Sequence, residues 1–377
     1  MKRCLGLLAL FFCCPTFAQV ENDAVADDEG NEPSRPAVAP DLREDDINFK
    51  LQKGDFVIIP VPFSNPTLDS GLAVGGAYFH PQTEAEKEHQ PASLTAAAAM
   101  YSSNESLAYG IGHQHYWKED QWRFSGALGA FDLNLRIFAE DVGGAEQEGS
   151  WLLDGKFFYS NVSRMTWKDW YVGLIARYVD VTQQVTFTDE PGNFDEPFES
   201  ISSGLGVTME FDRRDMPFNS YSGSLFKAQA LFNSTKLGGD ENYQSYSLAF
   251  SSYHELFESF VLAWQVEFCT RSGRVALWDS CRIELRGFSA TDYMGKGSAY
   301  GQAEARWHVS KRWGFVGFAG TGYLTSSLSD SRERDLIPSY GAGIRFMVLP
   351  AKRINLRLDY ARSTDSSAYH FSVGEAF

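Results

Sequence analysis

From about Asp55 onward, apolar and polar residues alternate along this chain with a period of two. Leu205, Val207, Met209 and Phe211 share one parity, and Gly206, Thr208, Glu210 and Asp212 share the other. The same split recurs in Phe260, Leu262, Trp264, Val266 and Phe268 against Val261, Ala263, Gln265, Glu267 and Cys269. Near the end, Ile354, Leu356, Leu358 and Tyr360 oppose Asn355, Arg357, Asp359 and Ala361, a polar face whose reverse is wholly apolar. Successive side chains of a strand point to opposite faces, so each segment predicts a strand with one side for apolar surroundings and one for water.

Segment length separates a membrane wall from a soluble sandwich. The segments run about 9 to 14 residues, longer than the roughly 5–6 residues of soluble strands and near the length a tilted strand needs to cross a bilayer. Tryptophan and tyrosine gather toward segment ends, as in Tyr116-Trp117, Trp167 with Trp170 and Tyr171, and Trp307 with Trp313. An aromatic girdle would lie there. Reading in order predicts strands at 55–60, 71–80, 93–102, 107–117, 121–138, 149–160, 169–187, 200–212, 222–233, 243–255, 258–270, 298–309, 312–325, 337–349, 352–362 and 367–377. The expected fold is all-β, a transmembrane antiparallel β-barrel of about 16 strands within residues 49–377.

Residues 1–18 read as an export signal peptide, with Lys2 and Arg3, an apolar run over 5–12, and small residues before Gln19. Residues 19–48 form an acidic, proline-bearing leader, expected to be disordered in the periplasm; ten acidic residues oppose Arg35 and Arg43. A net charge of −16 argues against nucleic acid as a partner. Outside the signal peptide the cysteines are Cys269 and Cys281, in a compartment where a disulfide is permitted; a bridge and two separate thiols both remain open. His113 and His115 share a strand face, but no third ligand is visible, so no metal and no cofactor are expected. No glycine-flanked nucleophilic serine stands out, so the chain does not read as an enzyme; a barrel hydrolase using His254 or His308 is a distant third reading.

Several segments, in order, resemble the BamA/TamA outer-membrane protein family of the bacterial surface antigen type. They are LGVTMEFDRRDMPFNSYSG (205–223), ELRGF (284–288), GQAEAR (301–306), YGAGIRFMVLPAKRINLRLDYA (340–361) and the terminal FSVGEAF. The resemblance implies a barrel that inserts or secretes proteins at the bacterial outer membrane. It also implies that the longest connection, about 271–297, folds into the lumen. There Arg286, Gly287 and Phe288 would form a plug held by a wall carboxylate, Glu304 by motif. Parity independently puts Glu304 on the lumen side, with Tyr300, Gln302, Arg306 and His308. The pattern departs at Gly320, where family members often carry a second carboxylate. Family members also carry periplasmic polypeptide-transport-associated domains, and 19–48 does not read as one.

A seam is expected between the first and last strands. The first reads as short, ending at Pro60 before Pro62, and Gly374 permits a kink ahead of Phe377. Expected partners are outer-membrane lipids, unfolded outer-membrane or secreted clients, and the barrel assembly machinery for the chain's own insertion. The alternative function is a passive or lipid-related channel.

Overall fold

The computed structural model describes residues 56–65, 68–140, 146–187, 196–216, 219–288, 293–327, 336–350, 353–364 and 366–377. The signal peptide and leader expected at 1–18 and 19–48 lie outside them. Sixteen long strands form the wall: β1 Phe56–Asn65, β2 Asp69–Phe79, β3 Leu94–Ser102, β4 Leu107–Trp117, β5 Trp122–Glu140, β6 Glu146–Trp167, β7 Trp170–Phe187 and β8 Phe198–Asp212 make the first half. The second half is β9 Gly223–Asn233, β10 Tyr243–Phe257, β11 Phe260–Gly273, β13 Met294–His308, β14 Trp313–Ser327, β15 Ile337–Leu349, β16 Ile354–Ser363 and β17 Ser367–Val373. A two-residue strand, β12 Cys281–Arg282, lies in the long connection and pairs with the start of β13. Consecutive wall strands pair antiparallel, and β11 pairs directly with β13.

Alternation sets the sidedness. On β7 and β8, Val172, Leu174, Leu205 and Val207 are exposed outward, while Tyr171, Ile175 and Ser202 are buried inward. On β5 to β7 this sense reverses partway along. Past Leu128 and Phe158, the outward positions become Asp132, Arg136, Asp154 and Lys156, and the inward ones become Phe131, Leu133, Leu135, Trp151 and Leu153. β6 runs 22 residues, about twice what a tilted strand needs to span hydrocarbon. Its far part therefore stands in water and buries an apolar core inside the barrel, joined by Val179 and Val181 of β7. The expected strand, 149–160, ends seven residues short of the end of β6.

Two ends of the barrel differ. Turns such as 118–121, 168–169 and 258–259 are tight, whereas the connections at 188–197 and 274–293 are long. Bacterial barrels carry short turns on the periplasmic side and long loops outside. The connection 80–93, on the short-turn side, contains a helix that strand patterning did not predict, α1 Glu84–His89, started by a Thr83/Glu86 capping box.

β1 corrects the sequence reading. It extends to Asn65 and stays in register with β2 throughout, with Pro60 opposite Val74 and Pro62 opposite Leu72. Proline cannot donate to a ladder. Two prolines spaced two residues apart present the same strand edge, and an unbroken ladder with β2 puts that edge on the other side, toward β17.

Candidate functional site

The connection between β11 and β13 carries the site. A disulfide joins Cys269 of β11 to Cys281, with 5.7 Å between their Cα atoms. It ties the loop's descending limb to the wall it left. Beyond it Ile283, Leu285 and Phe288 are buried with Tyr293, Tyr300 and Leu324. Gly322 of β14 makes room for this segment: a Cβ there would stand 2.4 Å from the Ile283 side chain. One strand step away, a Cβ at Gly320 would meet Leu285 at 3.0 Å. Gly320, where the resemblance implies a second carboxylate, is thus part of the slot that receives the loop.

Arg286 lies against the inner wall. Its guanidinium forms ion pairs with Glu304 of β13 and, at 2.9 Å, with Asp359 of β16. The same group stacks 3.4 Å over the Phe318 ring of β14. Both carboxylates have further cations, Arg306 on Glu304 at 2.9 Å and Arg345 on Asp359. Glu304 and Asp359 are each 0 % exposed, so a charge left alone here would face a desolvation cost of several kcal/mol. A planar fork with donors on two sides can bridge two carboxylates, which a lysine point charge cannot do with the same geometry. Gly287 follows with φ +91°, and a Cβ there would meet the Arg362 and Ala361 backbone at 3.0–3.2 Å. Its N–H donates to His370 Nε2 at 3.2 Å, and its neighbour Phe288 packs edge-on to Tyr293.

A second anchor, not found from the sequence, holds the loop to the opposite arc of wall. Asp279 receives Arg177 of β7 at 3.0 Å and the Tyr243 hydroxyl of β10, and its carbonyl accepts from Arg271. Ser202 and Asn233 complete this network around Arg177. Burial pushes the Asp279 carboxyl up, but Arg177 and Arg271 outweigh it and hold the group down at about 2. Trp278, beside it, joins the apolar core lined by β5 to β7. The loop is therefore a strut, fixed to β7 and β10 at one end and to β13 and β16 at the other. The signal in the sequence was a single aspartate in a Trp-Asp pair, with nothing local to identify its partner.

The residues expected at a seam fall in two groups. Pro60 is exposed on β1. Gly374 adopts φ +82° and ends β17, after which the chain turns inward. Glu375 pairs with Arg345 at 2.8 Å and accepts from Asn355, and the Phe377 main-chain oxygen accepts from Arg306 at 3.2 Å. Arg306 thus links the last residue to Glu304 and so to Arg286. β1 and β17 lie side by side, yet among the described residues no paired register joins them. His113 and His115 sit on the outer face of β4, away from this site. Among the described residues no cluster with metal-ligand geometry occurs.

The Omp85 superfamily domain matches residues 92–377. No curated protein matches the chain. Among solved structures, BamA from Haemophilus ducreyi lacking POTRA domains 1–3 superimposes with a TM-score of 0.56 at 12% identity, over 85% of this chain and 69% of that one. CdiB from Acinetobacter baumannii gives 0.55 at 13% identity, over 86% of this chain and 60% of that one. CdiB from Escherichia coli gives 0.57 at 11%, over 84% and 62%. The chain thus spans under two thirds of the length of either CdiB, and identities this low speak for the fold alone. With a family match over three quarters of its length, on an antiparallel barrel of sixteen wall strands, this chain belongs to the Omp85 superfamily of outer-membrane barrels.

Proposed function

We propose that this barrel inserts or translocates polypeptide clients at the outer membrane, using the strut loop as a closed gate and the β1/β17 seam as the lateral exit. The observation that carries the reading is the coupling of the two parts through Arg306. That side chain bonds Glu304, which holds Arg286 of the loop, and also the Phe377 main chain, four residues beyond the end of β17. Displacing the loop would loosen the cluster that holds the seam strand's terminus. A passive channel fits poorly, because inward residues of an open pore would be wet, whereas Trp151, Leu135, Glu304 and Asp359 are all 0 % exposed.

Clients would be unfolded outer-membrane or secreted proteins, with lipids bordering the seam, and a leader would extend into the periplasm. The test uses the full-length barrel in liposomes, with a urea-unfolded small β-barrel protein as client and heat-modifiable gel mobility as the folding readout. The wild-type barrel is expected to speed client folding over empty liposomes. A thioether crosslink between cysteines introduced into β1 and β17 should return the rate to that of empty liposomes, while the uncrosslinked cysteine variant stays active. A crosslinked barrel as fast as the uncrosslinked one would exclude the seam as exit, and no acceleration by either would remove the insertion reading.

A further inference from the structure

Outside the barrel, the lipid-facing wall over β1 to β5 is not smooth. Registers place Ile58, Gly76, Ala97, Ile111 and Leu128 in one row across five strands, and the next row carries Val74, Ala99, Tyr109 and Ala130. The centre of both rows has little or no side chain, while Ile58 and Val74 rise on one side and Tyr109 and Leu128 on the other. The result is a shallow, open apolar groove of about 760 Å³. Its floor is the run of alanines on β3.

Toward the short-turn rim the same outward face stops being apolar. Thr95 and His113 follow Ala97 and Ile111 by one outward step, and His80 and His115 lie one step further. The Thr95 hydroxyl lies 2.8 Å from His80 Nε2 and 2.8 Å from His113 Nδ1. A hydroxyl has one proton, so it donates to one ring and accepts from the other, which orders both imidazoles. His115 stacks on His113, with ring centroids 5.7 Å apart, and on its other side meets Trp117, which stacks on Trp122. Tryptophans of this kind mark the headgroup level of a membrane. Three imidazoles at that depth, facing lipid, have no role in the lumen site.

We propose that this groove binds one phosphate-bearing lipid of the inner leaflet, with an acyl chain lying on the Ala97/Ala99 floor and the phosphate held by the His80, His113 and His115 imidazoles. The complementarity is apolar along the floor and hydrogen-bonding at the rim. A phosphate oxygen accepts from imidazole N–H groups in charge-assisted bonds, stronger than neutral ones. The short-turn rim selects the periplasmic leaflet, whose lipids present a phosphate at this level. Because one wall of the groove belongs to β1, a bound lipid would also brace the seam strand from outside. The site does not depend on the barrel being a protein insertase.

Native mass spectrometry on the full-length detergent-purified barrel tests this, with phosphatidylglycerol and a diacylglycerol of matching chains as probes. Wild type is expected to retain one phosphatidylglycerol, about tenfold more strongly than the diacylglycerol. Changing His113→Ala with His115→Ala should bring phosphatidylglycerol down to the diacylglycerol level. Filling the floor with Ala97→Phe and Ala99→Phe should remove retention of both; these side chains point outward, and heat-modifiable mobility reports that the barrel still folds. Equal retention of the two probes by wild type, or full phosphatidylglycerol retention by the histidine variant, overturns the proposal.

Discussion

Arg286 and Asp279 show how two buried charges fix one loop. Each is the opposite partner of buried wall charge, Glu304 and Asp359 for Arg286 and Arg177 for Asp279, and each has extra hydrogen-bond partners, Gln302 for Arg286 and Tyr243 for Asp279. Such pairs add little net stability over an apolar contact, but breaking one is costly. That asymmetry makes them latches. The Asp279 latch has a sign in pH. Its carboxyl sits at about 2 against an ordinary value near 3.8, so its stabilisation, about 2 kcal/mol, is fully present above 3.8 and is lost as pH falls through about 2. Pepsin works across this window. The loop at 274–288 should resist it at pH 4 and become cleavable near pH 2, whereas Asp279→Asn should be cleaved at both. Equal resistance of the two proteins at pH 4 would show that the carboxylate does not hold the loop.

At the scale of elements, strands were legible and their ends were not. Period-two alternation located all sixteen wall strands, because lipid on one side and lumen on the other act on every residue of a spanning segment. It misjudged β1, where Pro60 and Pro62 read as a stop; a strand edge with no ladder partner among the described residues tolerates both. It did not reveal that β5 and β6 reverse their faces, because parity shows which residues share a face but not which face meets lipid and which the lumen. The Cys269–Cys281 bridge is not legible in the sequence for a related reason: pairing depends on β12 folding back along β13, which no local pattern encodes. The bridge closes a 12-residue separation, so removing it by Cys269→Ser with Cys281→Ser should destabilise loop docking by about 3 kcal/mol in the chain-entropy view. Hydrogen exchange at residues 282–288 should then rise about a hundredfold, with the β5/β6 ladder unchanged. A comparable rise throughout the wall would mean that the bridge supports the barrel rather than the loop.

Across the whole molecule, the strut and the inward-turned segment after β17 meet on one set of arginines, Arg286, Arg306 and Arg345, balanced by Glu304, Asp359 and Glu375. Cutting the strut at both ends should therefore change conduction. Arg286→Ala combined with Asp279→Ala removes two latches whose loss costs about 3 kcal/mol or more each, and planar-bilayer recordings should pass from low or flickering current to a steady larger one. Each single variant should give an intermediate, flickering trace. A double variant that stays as closed as wild type would show that the β5 to β7 core, not the loop, seals the lumen.

The sequence by itself determined the wall: which residues form strands, how many strands there are, and that Glu304 faces inward, since these follow from a repeat of two imposed by the surroundings of each strand. The resemblance in ELRGF singled out Arg286. Tertiary structure alone decided that Asp359 is the second carboxylate, that Gly320 and Gly322 hollow the slot for Leu285 and Ile283, and that Asp279 reaches Arg177. Those partners lie far apart along the chain, and only closure of the barrel brings opposite arcs of wall within reach of one loop.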